Sequence, residues 1–107
     1  MKGYILSYNN NLSSHEIVKI NNYLLGRVCK VKRHNIVFNY YYPGLFDNIL
    51  FLKLSNGCYF IEKQPNLVFP GMVNIFDAEI DELLPEQMIT GREYFQIKYN
   101  NERVKNL

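Results

Sequence analysis

The sequence predicts an α+β fold: a mostly antiparallel four- to six-stranded sheet, one main helix packed on one face, and a short second helix. Apolar and polar residues alternate over several short segments, which is typical of half-buried strands, whereas helical spacing is strongly marked in only one segment. Turn residues separate the alternating segments at short intervals. Short turns join antiparallel strands, so hairpins are expected.

Length and composition indicate one globular domain. The chain has 107 residues, of which 48% are hydrophobic and 21% charged, and we assign residues 1–107 to a single domain with 100–107 as a frayed polar tail. No apolar run has the length of a signal peptide or a membrane span. We therefore expect a cytoplasmic protein with no membrane partner, in which Cys29 and Cys58 are free thiols.

The first strand and the main helix follow one another. Alternation predicts a strand over Lys2–Tyr8. Ser13 and Glu16 have the spacing of a capping box, in which each side chain accepts a hydrogen bond from the other residue's backbone N–H group. Apolar residues then recur at helical spacing until Gly26. The sequence therefore predicts a helix over Ser14–Leu25.

From residue 27 onward, apolar residues tend to recur at every second position, which is typical of strands. This pattern predicts a hairpin of strands 27–33 and 36–42 around a His34-Asn35 turn. His and Asn tolerate the positive φ that such a turn requires. In this register Val31 faces Phe38. The face predicted to join the core consists of Cys29, Val31, Ile36, Phe38 and Tyr40. The face predicted to contact solvent or a partner consists of Val28, Lys30, Lys32, Val37, Asn39 and Tyr41.

A second hairpin is predicted around Asn56-Gly57, which is the strongest short-range turn signal in the chain. Its strands are 49–54 and 58–63, and a type I′ turn sets their register. The cross-strand pairs expected on an apolar face are Leu54 with Tyr59 and Leu52 with Ile61. Phe51 then lies on the opposite face.

The rest of the chain, from residue 64 onward, has weaker patterns. Leu67–Phe69 and Met72–Phe76 are predicted as short strands around a Pro-Gly turn. Asp77 is predicted to cap the short second helix, which ends before Pro85. Alternation over Glu93–Tyr99 predicts a last strand.

No motif in the sequence specifies a reaction. The glycines do not form a phosphate-binding or dinucleotide-binding loop, and we expect no cofactor. His15-Glu16-x-x-Lys19 lacks the second imidazole of the zinc-binding helix motif, so we also expect no metal. His15 and His34 are the only imidazoles, and a metal-independent ribonuclease using them, with Lys32, is one hypothesis.

The basic run of the first hairpin favours a nucleic-acid-binding function. Cations bind phosphates, and an aromatic ring stacks on a base, as sequence-tolerant single-strand binding requires. The predicted contact residues are Lys30, Lys32, Arg33, His34, Asn39 and Tyr41. DNA and RNA are both open as partners.

The competing hypothesis is a protein-interaction or self-association module, for example a homodimer. Nine Tyr and seven Phe are more aromatic side chains than so small a core readily buries. The tyrosines that are candidates for such a surface are Tyr4, Tyr8, Tyr41, Tyr42, Tyr94 and Tyr99. On either hypothesis we expect a binding protein rather than an enzyme.

Overall fold

The computed structural model describes residues 1–67, 70–81 and 84–105; at residue 70 and in segments 84–85 and 99–105 only the backbone is described. The elements in chain order are β1 (Lys2–Tyr8), α1 (Ser14–Leu25), β2 (Arg27–Arg33), β3 (Ile36–Tyr42), β4 (Leu50–Ser55), β5 (Cys58–Ile61), β6 (Val73–Glu79), β7 (Ile89–Thr90) and α2 (Gly91–Lys105). Short 3₁₀ turns lie at Pro70–Met72 and Leu84–Gln87.

The strands form two antiparallel sheets. One sheet has five strands in the order β6-β1-β5-β4-β7, and the other consists of β2 and β3 alone. All strand pairs are antiparallel. The predicted α+β class is therefore confirmed, and the first hairpin is a separate two-stranded sheet.

Local sequence determines α1, as predicted. The backbone N–H group of Glu16 donates to Ser13 Oγ at 3.2 Å, and that of Ser13 donates to Glu16 Oε1 at 3.1 Å. These hydrogen bonds lower the pKa of the Glu16 carboxyl. At the other end Gly26 has φ of 89° and donates to the carbonyl of Asn22. Both ends of α1 thus satisfy backbone groups that a helix leaves unpaired.

The core lies on one face of the five-stranded sheet. Its buried members are Leu6, Ile20, Leu24, Phe46, Phe51, Tyr59, Ile61 and Val73. The ring of Phe46, from the loop after β3, lies 5.2 Å from that of Phe51, and the ring of Tyr94 in α2 lies 6.0 Å from Phe51 on another side. Both helices and this loop therefore cover the same face of the sheet.

The predicted register of the second hairpin is wrong. A β-bulge between Lys53 and Ser55 shifts the pairing by one residue, so Tyr59 faces Lys53 and Ile61 faces Phe51. Gly57 has φ of 77°, but Asn56 does not have a positive φ, so the turn is not type I′. A one-residue shift exchanges the two faces of a strand. Phe51 consequently lies in the core.

Helix α2 replaces the strand predicted over Glu93–Tyr99. The backbone N–H group of Glu93 donates to Thr90 Oγ1 at 3.2 Å, so Thr90 caps the helix. Gly91 and Phe95 are buried and Tyr94 is half-buried, which is helical spacing. The alternation of apolar residues was misleading, because Ile97 is 60% exposed. The helical backbone continues to Lys105, and residues 106–107 lie outside the described residues.

The smaller predictions between the second hairpin and α2 have different outcomes. Asp77 does not cap a helix but lies within β6, where it faces Tyr4 of β1. Leu67 is outside any strand, and the rest of the predicted strand, 68–69, lies outside the described residues. The predicted strand over Met72–Phe76 is present from Val73 onward as the first part of β6, and Met72 ends the preceding 3₁₀ turn. The second helix of the fold is therefore at the carboxyl-terminal end of the described chain.

Candidate nucleic-acid interface

The hairpin of residues 27–42, hereafter the arm, projects from the rest of the molecule. Seven residues per strand extend about 20 Å at a rise of about 3.4 Å. The molecule measures 50 × 32 × 21 Å and has a radius of gyration of 15.5 Å, against about 13 Å for a compact chain of this length. The predicted register, with Val31 opposite Phe38, is confirmed. So is the turn, in which φ is 51° at His34 and 66° at Asn35.

The charge of the arm has one sign. Lys30, Lys32 and Arg33 are exposed on it, and the Arg27 guanidinium lies 4.9 Å from the centre of the Tyr42 ring at its base. The sequence contains no Asp or Glu from residue 17 to residue 46. Four cations without a nearby carboxylate in the sequence give the arm a positive field that favours an anionic partner.

The arm brings most of the predicted site residues together. Lys30 and Lys32 share one face with Asn39, which lies directly opposite Lys30, and we call this the cationic face. His34 is exposed in the turn, and Arg33 precedes it on the other face. Five of the six predicted contact residues are therefore exposed on the arm.

Tyr41 is the exception, because it is not displayed to solvent as predicted. Its hydroxyl donates to Asp47 Oδ1 at 2.7 Å, and its ring centre lies 4.7 Å from that of Phe95 in α2. Burial and the hydrogen bond to Asp47 raise the pKa of Tyr41 to about 12. Tyr41 therefore holds the base of the arm instead of offering a ring for stacking.

The second face of the arm was predicted to be core and is exposed. The exposed fractions are 57% for Ile36, 42% for Phe38 and 44% for Tyr40. The residue alternation is as predicted, but the hairpin extends beyond the body, so most of this face is not covered. We call Val31, Ile36, Phe38 and Tyr40 the apolar face of the arm. An isolated two-stranded hairpin is only marginally stable, so the arm depends on its base.

The base of the arm is fixed by a polar cluster around Asp47. This carboxylate is only 8% exposed, and besides the Tyr41 hydroxyl it accepts a hydrogen bond from Arg92 Nη2 at 3.2 Å. The adjacent backbone is also paired, since the N–H group of Gly91 donates to the carbonyl of Phe46 at 2.7 Å. The cluster joins the end of the arm to the start of α2. Sequence reasoning did not identify Asp47 and Arg92 as partners, because they are 45 residues apart.

Two glycines allow the two ends of the arm to meet. A Cβ atom on Gly26 would lie 2.6 Å from the carbonyl oxygen of Tyr42, and one on Gly44 would lie 2.5 Å from that of Leu24. Both are shorter than van der Waals contact, so a larger residue would separate α1 from the end of the arm. Gly26 also has the positive φ noted above.

The histidines proposed for catalysis are on different elements. His15 is exposed in the first turn of α1, and His34 is exposed at the tip of the arm. Neither imidazole forms a hydrogen bond or ion pair with the residues that the structure describes. The structure therefore shows no contact that would unite them in one site.

The described ranges 1–67, 70–81 and 84–105 bear on other kinds of site as well. No cluster of His, Cys, Asp or Glu there could hold a metal ion. No helix in the same ranges has the length and apolar character needed to cross a bilayer. Cys29 and Cys58 are half-buried free thiols, one in each sheet.

The chain was also compared with known proteins. No family model, curated protein or solved structure matches it.

Proposed function

We propose that this protein binds double-stranded DNA by placing the arm in a groove. The observation that supports this is the projecting, two-stranded and exclusively cationic ribbon of residues 27–42. The major groove of B-form DNA, about 12 Å wide, admits a two-stranded β-ribbon, and several DNA-binding proteins use strands in this way. Lys30, Lys32 and Arg33 would contact phosphates, and Asn39 has the donors and acceptor to contact a base edge.

The structure favours duplex DNA over the single-strand stacking predicted from sequence. Stacking on the cationic face required the ring of Tyr41, and that ring packs against Phe95. The grooves of A-form RNA are less suitable, because the major groove is too deep and narrow for side chains to read. A ribbon that presents cations, one amide and no free ring on its cationic face is better matched to phosphates along a B-form groove.

A protein-interaction arm is the second candidate, and the exposed apolar face favours it. Ile36, Phe38 and Tyr40 are large and all more than 40% exposed. Charge weighs against two arms packing together, because each carries four cations. Three side chains also contribute only a few hundred Å² per copy, against about 800 Å² per partner in a standard interface. Self-association through the arm alone is therefore the weaker proposal.

Binding measurements on three nucleic acids test the proposal. Fluorescence anisotropy would compare a blunt DNA duplex, an RNA duplex and single-stranded DNA of equal length, with the wild type and with Lys30→Ala/Lys32→Ala. We expect the DNA duplex to bind most tightly and the double variant to bind it at least about tenfold more weakly. The matched control, Lys2→Ala/Lys63→Ala, removes the same charge from exposed positions outside the arm and should bind as the wild type does.

Two results would reject the proposal. Equal affinity of the wild type and Lys30→Ala/Lys32→Ala for duplex DNA would show that the arm is not the contact surface. If no nucleic acid binds at low salt and the protein mass rises with concentration, the interaction arm is the better assignment. Light scattering on wild type and Phe38→Glu would then show whether the apolar face forms the contact.

A further inference from the structure

A cleft lies beside the base of the arm, and the proposed DNA contact of the arm does not use it. It has a volume of about 720 Å³ and lies between α1, α2 and the turn that joins β4 to β5. Cavities that bind small molecules range from about 300 to 1,000 Å³. Its floor includes Tyr8 and Tyr59, whose ring centres are 6.0 Å apart.

The lining of the cleft suits an anion that also accepts and donates hydrogen bonds. None of the described lining residues is Asp or Glu, whereas Lys53 and Lys98 both line the cleft. Several asparagine side chains surround it, among them Asn21 and Asn22 on α1. Burial raises the pKa of both floor tyrosines, so their hydroxyls remain neutral at physiological pH.

Within the described part of the chain, one of these amides, that of Asn21, is held by a hydrogen bond at its carbonyl end only. The Tyr8 hydroxyl donates to Asn21 Oδ1 at 2.5 Å, which fixes the carbonyl end of the amide. None of the described residues accepts a hydrogen bond from the Nδ2 group of Asn21. The two N–H donors of an amide are the kind of group that reads the edge of a base.

The cleft adjoins the arm. Gly26 lines the cleft and is the last residue before the arm begins. Phe95 also lines the cleft, and its ring contacts Tyr41 of the arm. A nucleic acid held along the arm would therefore pass close to the cleft.

We propose that this cleft binds one nucleotide, with its phosphate near Lys53 and its base near Asn21 and Asn22. The choice of a nucleotide among anionic ligands rests on the proposed DNA-binding function, while the site itself is separate from the arm. The nucleotide has two sources with the same chemistry: a free mononucleotide, or an unpaired nucleotide at the end of a strand.

Calorimetric titration and duplex binding test the assignment. AMP and inorganic phosphate would be titrated into wild type, Lys53→Ala/Asn22→Ala and the control Lys63→Ala/Asn66→Ala. All four positions are exposed, so the variants should fold. We expect AMP to bind the wild type at least about tenfold more tightly than phosphate does. The affinity for AMP should fall at least about fivefold in Lys53→Ala/Asn22→Ala, hereafter the cleft variant, and should not change in the control. A DNA duplex with a single-stranded overhang should likewise bind more tightly than a blunt one, by an increment that the cleft variant loses.

The outcomes separate the two proposals. If AMP binds but the overhang does not increase duplex affinity, the ligand is a free nucleotide. If the overhang increases duplex affinity but AMP does not bind measurably, the ligand is the end of a strand. The cleft assignment would be overturned if AMP does not bind and the overhang does not increase duplex affinity. It would also be overturned if AMP and phosphate bind with equal affinity. Either result would count against the cleft even if binding of the blunt duplex still depends on Lys30 and Lys32. If AMP binds the wild type but no duplex does, the DNA-binding proposal fails and the cleft assignment stands.

Discussion

Replacing Asp47 with Ala should loosen the arm and destabilise the whole chain. Asp47 is 8% exposed and accepts hydrogen bonds from the Tyr41 hydroxyl and from Arg92. A half-buried hydroxyl left without its acceptor costs about 1–3 kcal/mol. The Arg92 side chain is 62% exposed, so the loss of its ion pair with Asp47 adds at most about 1 kcal/mol to the cost. We therefore expect Asp47→Ala to lower the free energy of unfolding by about 1–4 kcal/mol.

Urea unfolding followed by circular dichroism measures this free energy, and a double-mutant cycle isolates the pair. Tyr41→Phe alone should cost about 1 kcal/mol. The variant with both substitutions should be no less stable than Asp47→Ala, because the unpaired hydroxyl is gone. Asp77→Ala, at an exposed position in β6, is the control and should change the free energy by less than about 0.5 kcal/mol. A similarly small change for Asp47→Ala would refute the assigned role of the cluster.

Three further predictions concern titration, capping and the glycines. The pKa of Tyr41 is about 12 against 10.0 in the unfolded chain, so its stabilising effect is complete below pH 10 and is lost as the pH rises to about 12. The absorbance titration of wild type minus that of Tyr41→Phe should show this late step, and a step near pH 10 would contradict it. Ser13→Ala should lower the free energy of unfolding by about 1 kcal/mol and Ser14→Ala by almost nothing, whereas equal effects would exclude the capping role. Gly44→Ala should cost more than about 4 kcal/mol, because its Cβ would overlap the backbone. Gly71→Ala has open space and should leave the unfolding curve unchanged.

Elements whose signals are local could be predicted from the sequence. The capping box at Ser13 and Glu16 needs only four consecutive residues, and α1 has the predicted bounds. The His34-Asn35 turn sets the register of the arm in the same way, because a two-residue turn leaves one pairing. A local signal also exists for α2, since Thr90 and Glu93 have capping-box spacing. The alternation over Glu93–Tyr99 predicts a strand instead, which is the wrong element.

Burial of the arm could not be predicted, because it depends on distant parts of the chain. Alternation separates the two faces of a hairpin but does not show which face another element covers. Phe38 was therefore assigned to the core and is exposed. Tyr41 was assigned to solvent and instead packs against Phe95, which lies 54 positions later in the sequence. The bulge between Lys53 and Ser55 could not be predicted either, because the Asn56-Gly57 turn signal alone predicts a regular ladder of strand pairs.

The salt dependence of DNA binding tests most directly whether the cations of the arm contact phosphates. Each phosphate contact contributes about 0.9 to the slope of log Kobs against log salt concentration for B-form DNA. For a blunt duplex between about 50 and 200 mM salt, we predict that Lys30→Ala/Lys32→Ala reduces the magnitude of this slope by about 1.8. The control Lys2→Ala/Lys63→Ala should keep the wild-type slope. Equal slopes for the wild type and Lys30→Ala/Lys32→Ala would contradict DNA binding by the arm.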